Sequence, residues 1–491
     1  VAATLLLGAA VLMPAGAAAG GGLRLLNCIT GKLPVGKAPF APRPGGCKPI
    51  RPAVIDAEGS GLAYPGSLAA SPDGRSLYAV SSRDDTVIVL RARPLKFQEC
   101  LSANTEPGPP GAQPCRLLPN AGKEDVLSGF NGVRFVTVSP DGRSVYTVSN
   151  DESLGIFARN LRTGRLTYKS CITGATGANS TGKRRVCRPI PTATPVFGGT
   201  HSGLGGPATL TVSADGRFAY VAARGDAAVT TFARAADGSL SFRGCLTGGI
   251  SAFVAGFASP CTLVAPENSH GSGLRGVKRI VLSPDGTSLY ASSPKTSSVA
   301  EFQRDPASGQ LAYRGCITGE SRGLGPGNPC RPIATAQEAG FDSGMWLIDR
   351  MAASPDGRFL YGLATGDDAV NAFGRDPVTG ALSFLEAEPG GANPTDLALP
   401  PGGRDLLVAA AGDSAIVRLG RDSGGSLSFA SCLTARPAEA RPGGPCSLAA
   451  GPGGAHQLGF GGLSSLALAG GSLYATASRQ SAVSRFAIPG G

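Results

Sequence analysis

Apolar and polar positions alternate along this chain in short runs, each ended by a turn. In residues 279–316 the runs are RIVLS (279–283), SLYASS (288–293), SSVAEFQRD (297–305) and QLAYRGC (310–316). Their period of two, their β-branched and aromatic content and their length predict strands rather than helices. The intervening PDG and PASG supply residues that tight turns favour. Four consecutive antiparallel strands are therefore expected from this stretch. The pattern then repeats. SPDGRSLYAV (71–80) returns as SPDGRSVYTV (139–148), SADGRFAYVA (213–222), SPDGTSLYAS (283–292) and SPDGRFLYGL (354–363), with degraded copies PPGGRDLLVA (400–409) and LAGGSLYATA (468–477).

Seven copies at a spacing of 68 to 74 residues, measured on the turn aspartates from Asp73 to Asp356, mark a repeat architecture. Most copies are longer than a bare propeller blade because a Cys-bracketed loop follows the fourth strand. The fifth copy lacks that loop, with Leu385 where a Cys is expected, and shortens to 46 residues between Asp356 and Gly402. The seventh copy stops after its third strand, AVSRFAIPGG, and GGLRLLNCITG (21–31) matches the fourth strand GSLSFRGCLTG (238–248). An N-terminal strand that completes the last repeat closes a ring and removes its free edges. The expected fold is all-β: a seven-bladed β-propeller of four-stranded blades spanning residues 20–491.

Composition narrows the picture. The 73 Gly and 39 Pro make up close to a quarter of the 491 residues, which excludes a helical bundle, while 42% apolar residues suffice for a core. The net charge of +11 is scattered, and its densest run, Lys183, Arg184, Arg185 and Arg188, has no interleaved aromatics for base stacking, so no nucleic-acid partner is expected. Twelve cysteines fall into six consecutive pairs, each bracketing the same loop. The pairs are Cys28 with Cys47, Cys100 with Cys115, Cys171 with Cys187, Cys245 with Cys261, Cys316 with Cys330, and Cys432 with Cys446. No CxxC occurs, so local disulfides are expected rather than zinc, each closing a loop worth roughly 3 kcal/mol in the chain-entropy model. Residues 4–13 are apolar and Ala17-Ala18-Ala19 fits a signal-peptidase site, so residues 1–19 are expected to be a signal peptide. With the disulfides this predicts a secreted or extracytoplasmic monomer with no membrane span after cleavage.

The SPDGRxLY units, followed by V-x-x-F-x-R-D and G-x-L-x-F, resemble the seven-bladed propeller lactonases, the 6-phosphogluconolactonase or carboxymuconate-cyclase-like proteins that share YVTN-type repeats. The resemblance spans residues 21–491 and implies the fold. It also implies a catalytic Pro-Arg-His with His four residues before the SPDG serine. At that offset this chain carries Ser67, Phe135, Thr209, Arg279, Arg350, Asp396 and Ser465, and only Arg134 matches the preceding Arg.

The same alignment places Lys278, Arg279, Asp349, Arg350 and Asp396 on first strands of the fourth to sixth repeats, where they are expected on one wall of the central channel. They suit an anionic ligand or an inter-blade ion-pair network, and alternation would turn only one of each adjacent pair inward. His270 stands near that wall as a candidate base, and Trp346 as a ligand stack or an interface cap. His201 and His456 fall in similar loops, but the three histidines are too dispersed for a metal site. Asp84, Asp151, Asp226, Asp368 and Asp413 recur after the second strand, as turn formers do. The expected function is a ligand- or protein-binding scaffold without cofactor, metal or known catalytic residues, its partner a small anion or a protein. A lactone hydrolase or cycloisomerase acting on an anionic sugar or muconate-like lactone is the alternative.

Overall fold

In the computed structural model, residues 22–33, 47–54, 57–105, 115–122, 128–177, 186–195, 201–249, 260–264, 271–322, 328–436, 446–449 and 459–489 are described. The expected signal segment, residues 183–185, His270 and His456 lie outside them.

Seven sheets follow one another along the chain, each with its four main strands antiparallel in sequence order. The first strands begin at Pro65, Phe135, Pro207, Arg279, Ile348, Pro394 and Leu463, and each touches the first strand of the next sheet all round a closed ring. Six of the second strands, such as Ser76–Ser81 and Ser288–Ser293, are buried at every position. Both faces of a blade are covered by its neighbours, so alternation fades where packing is two-sided. Leu289, Ala291 and Phe302 of the fourth blade thus pack with Tyr220 and Val229 of the third in one cluster.

The ring closes as expected. Arg24–Lys32 pairs antiparallel with Ala482–Ala487, from Arg24 opposite Ala487 to Thr30 opposite Ala482, with one register shift between Leu25 and Asn27. The seventh blade is thereby built from both ends of the chain.

Six sheets carry a fifth strand that the sequence pattern did not announce. After the Cys-bracketed loop a short segment, such as Arg116–Gly122 or Cys330–Gln337, returns parallel to the fourth strand. Parallel neighbours need a crossover rather than a hairpin, and the bracketed loop supplies it. All six expected disulfides form. Cys28 bonds Cys47, Cys100 bonds Cys115, Cys171 bonds Cys187, Cys245 bonds Cys261, Cys316 bonds Cys330 and Cys432 bonds Cys446. In the fourth blade Cys316 and Cys330 are themselves register partners, as Cys432 and Cys446 are in the sixth. The fifth blade has no cysteine pair and no fifth strand. Its residue at the cysteine position is Ala387, opposite Asn371, and not Leu385. Bonded pairs also seat a glycine from the lead-in to their blade. A Cβ on Gly129 (φ 83°) would lie 2.7 Å from Cys171 Sγ and closer still to Cys187 Sγ, nearer than any side chain tolerates.

Candidate functional site

Antiparallel order puts the start of each first strand, the second-to-third turn and the blade-to-blade loop on one face of the ring. The S-P-D-G turns lie on the other.

On the first face, the residues aligned by sequence form an inner ring that ties blade to blade. Thr395 donates to the Leu463 carbonyl (2.8 Å), Leu466 N–H donates to Asp396 Oδ2 (2.8 Å), and Ser464 donates to the Pro65 carbonyl (2.7 Å). Leu68 N–H donates to Ser465 Oγ (3.2 Å), and Thr209 donates to the Lys278 carbonyl (3.0 Å). Between the fourth, fifth and sixth blades the same positions carry charge. Lys278 Nζ bonds Asp349 Oδ2 at 2.5 Å, Arg279 Nε stands 3.8 Å from Asp349 Oδ1, and Arg350 Nε stands 3.9 Å from Asp396 Oδ1.

Both members of each adjacent pair therefore engage a neighbouring blade, against the expectation from alternation. In the fifth and sixth blades, register breaks between Ile348 and Met351 and between Pro394 and Asp396 account for it, since a bulge re-aims one side chain. The fourth-blade strand that begins at Arg279, next to Lys278, has no such break. Arg279 also reaches past the small Thr209 of the third blade to stack its guanidinium 5.1 Å from the Phe135 ring of the second.

The electrostatics of the cluster are strained toward positive. Burial pushes the Asp349 carboxyl up, and Lys278 and Arg224 offset it only in part. Burial lowers the Arg350 guanidinium against the pull of Asp396. Burial and then the like charge of Arg224 lower Arg134, with Glu152 opposing them. The buried Nε atoms of Arg134, Arg279 and Arg350 have no hydrogen-bond partner among the described residues. Arg134 and Arg224 extend the cluster to the second and third blades, beyond the wall expected from sequence. Arg134 stood out in the alignment, but Arg224 sits in a second-to-third turn where no repeated position signals it.

The other candidates separate from this cluster. Trp346 lies 4.3 Å from Phe341 in a tilted ring contact and covers Gly366, both within its own blade. His201 is buried, and its backbone N–H donates to Asp226 Oδ1 at 2.8 Å. The recurring aspartates clamp the lead-in loop of their own blade. Asp226 accepts from Gly203 and Gly205 (2.7 and 2.8 Å), and Asp84 from Gly59 and Ala63 (2.9 and 3.1 Å). In the fifth blade that role falls to Asp367, which accepts from Gly344 and Trp346 (2.8 and 3.0 Å). Asp368, aligned from sequence, bonds Asn393 of the next blade instead (2.7 Å). Among the described residues, no group of three or more His, Cys, Asp or Glu could hold a metal ion, and no helix is long and apolar enough to cross a membrane.

No protein-family profile matches the chain, and no curated protein does. Several solved structures align over most of the chain. A candidate 6-phosphogluconolactonase from Bacteroides uniformis aligns with TM-score 0.49 and 17% identity, over 74% of this chain and 83% of its own. The periplasmic gluconolactonase of Pseudomonas aeruginosa aligns with TM-score 0.47 and 18% identity, over 75% and 85%. Kuenenia stuttgartiensis hydrazine synthase aligns with TM-score 0.47 and 15% identity, over 86% and 95%. Likeness at this level carries no inference about chemistry.

Proposed function

We propose that the chain is an exported recognition propeller that holds a small anion, a carboxylate or phosphate, at the inner end of its first-strand face, without turning it over. One observation carries this. Five cations, Arg134, Arg224, Lys278, Arg279 and Arg350, gather around three carboxylates, Asp349, Asp396 and Glu152, with Arg134 and Arg224 repelling each other. A cluster closed on itself as ion pairs would balance; this one is two negative charges short. Guanidinium groups left with spare N–H donors suit a bidentate oxyanion. The six disulfides support an oxidising compartment.

The test is thermal denaturation with phosphate or citrate. A bound anion at a hundredfold excess over its Kd adds about 2.7 kcal/mol. The shift should vanish in Arg224→Gln, an exposed position whose change leaves the fold alone, and shrink in Arg134→Gln. A shift unchanged in the double variant overturns the site. A lactone panel run beside it should give no turnover. A lactonase needs an accessible base, and neither Asp349, buried against Lys278, nor His201, folded into its own loop, is one.

A further inference from the structure

A second site lies at the outer rim, on the junction between the third and fourth blades. Three other junctions provide its internal reference. There the arginine that opens or follows the start of a fifth strand crosses to the carbonyl at the start of the next blade's fourth strand. Arg116 donates to Leu166 O (2.6 Å), Arg188 to Leu240 O (3.0 Å) and Arg331 to Leu382 O (3.2 Å). At three junctions a carboxylate takes the matching N–H. Glu99 accepts from Leu166 (3.1 Å), Glu301 from Leu382 (3.0 Å), and Glu386 from Leu427.

Between the third and fourth blades both partners are substituted. Thr262 stands where the arginine is, and Gly244 and Thr231 stand where Glu99 or Glu386 and Glu301 are. The vacated space is a cleft of about 670 Å³ that reaches Leu311, the fourth-blade counterpart of Leu166 and Leu382. A Cβ built on Gly244 would meet nothing within 4 Å, so the opening is real space and not a rearranged contact. Arg217 and Arg243 line the cleft, and among the described residues no acid does. Arg217 is anchored, its guanidinium 5.5 Å from the Phe218 ring and donating to Ala307 O at 3.0 Å.

We infer that this cleft is a binding site for a carboxylate-bearing ligand. The ligand carboxylate takes the place that Glu301 holds one junction further on, accepting from Leu311 N–H, and Arg243 with Arg217 neutralises it. The cleft exceeds a lone carboxylate, so the acid comes either as a free dicarboxylate or as the acidic side chain of a peptide.

The probes are glutarate and acetyl-Gly-Glu-Gly-amide, titrated into the full oxidised chain labelled with 15N-leucine. The Leu311 amide should shift saturably with at least one of them, and the tighter probe identifies the source as free acid or peptide. Arg243→Ala should weaken binding about tenfold. Thr231→Glu, which installs the acid of the fourth blade, should abolish it, and Thr262→Arg should compete with it while raising the melting temperature. Arg224→Gln should leave it unchanged, which separates this cleft from the inner anion site. Absence of a saturable Leu311 shift up to about 10 mM of both probes, beyond the millimolar affinities of weak ligands, overturns the inference. So does binding that persists in Thr231→Glu.

Discussion

Five of the seven blade junctions are latched by one device on the S-P-D-G face, and the two flanking the seventh blade are not. From the first blade to the sixth, an arginine ending a third strand reaches back to the preceding blade's turn aspartate. The pairs are Arg159–Asp73 (2.8 Å), Arg234–Asp141 (2.8 Å), Arg304–Asp215 (3.5 Å), Arg375–Asp285 (2.8 Å) and Arg421–Asp356. Four of these arginines also donate to the buried tyrosine of that blade, Tyr78, Tyr146, Tyr220 or Tyr290. Each also donates to a glycine carbonyl of its own turn. At the seam Ile488 and Ala92 stand for the arginine, Gly402 and Gly470 for the aspartate, and Leu407 for one tyrosine. Tyr474 keeps only its bond to the Ala92 carbonyl (2.9 Å). A cleft of about 760 Å³ opens there, reaching Pro400, Gly402, Arg404, Gly470 and Ile488. On this face no arginine latch crosses the seam; the seventh blade is held by strand exchange, with six register pairs and the Cys28–Cys47 bond, by the inner-ring bonds to Asp396 and Pro65, and by apolar contacts with both neighbours. The ring therefore uses two different means of cohesion, and each can be broken alone.

The largest effect should come from the exchanged strand. Deleting residues up to 33 removes the partner of Ala482–Ala487 and bares that strand's edge. Because no arginine latch backs up the seam on the S-P-D-G face, the seventh blade should open before the latched ones. Proteolysis should then cleave between residues 459 and 489 before any other blade. Equal protection of all seven blades would mean that the seam is held by something other than the exchanged strand.

Next in size is a latch. The Arg375 side chain is 2% exposed and makes hydrogen bonds to Tyr290, Thr287, Ser288 and the Gly357 carbonyl. Arg375→Ala leaves these buried polar groups short of a donor and should cost about 1–3 kcal/mol in urea denaturation. The reverse graft sharpens the contrast. Ile488→Arg adds the missing arginine at the seam, but Gly402 and Leu407 offer it no partner, so stability should change by no more than about 0.5 kcal/mol. A gain of the size lost in Arg375→Ala would show that the arginine acts through packing and not through its partners.

The blade count, the closure and the pairing of cysteines were legible because a repeat imposes the same solution seven times and the split copy exposes its own junction. The fifth strands were not. A cysteine pair shows that a loop is closed, but parallel pairing depends on register, which spacing does not encode. Asp367 was misplaced by one residue because the doubled Asp367-Asp368 offers two aspartates for one position, whereas Ala387 was legible, since L-S-F-L-E-A (382–387) aligns with L-S-F-R-G-C (240–245) without a gap. In the inner ring the charged residues were visible but their directions were not, since bulges in the fifth and sixth blades cancel the alternation used to read them. The latches join residues some 85 positions apart, such as Tyr290 and Arg375. They become visible only when neighbouring blades are laid side by side, and then F-x-R and SPDG read as two halves of one contact.

The smallest effect is a pH dependence confined to the latched junctions. Burial disfavours ionised Asp285, but hydrogen bonds from Ser283 and Thr287 and the charge of Arg375 outweigh it and bring the carboxyl down to about 2. Asp73, Asp141, Asp215 and Asp356 are lowered in the same way, and the seam has glycines at these positions. A carboxylate with a depressed folded pKa binds fewer protons in the native state than in the unfolded one. Its stabilisation is thus complete above the unfolded value near 4 and lost as pH falls toward about 2. Asp285→Asn should therefore lower stability at neutral pH and converge with the parent protein near pH 2. The Asp285 side chain is 42% exposed and screened, so the neutral-pH loss should be at most about 1 kcal/mol. Placing Asp at Gly402, whose facing residue is Ile488, should give no such acid-dependent gain. A matching pH profile from Gly402→Asp, in a turn where Pro400 replaces the serine, would mean that neither the serine nor the arginine is needed to lower the acid.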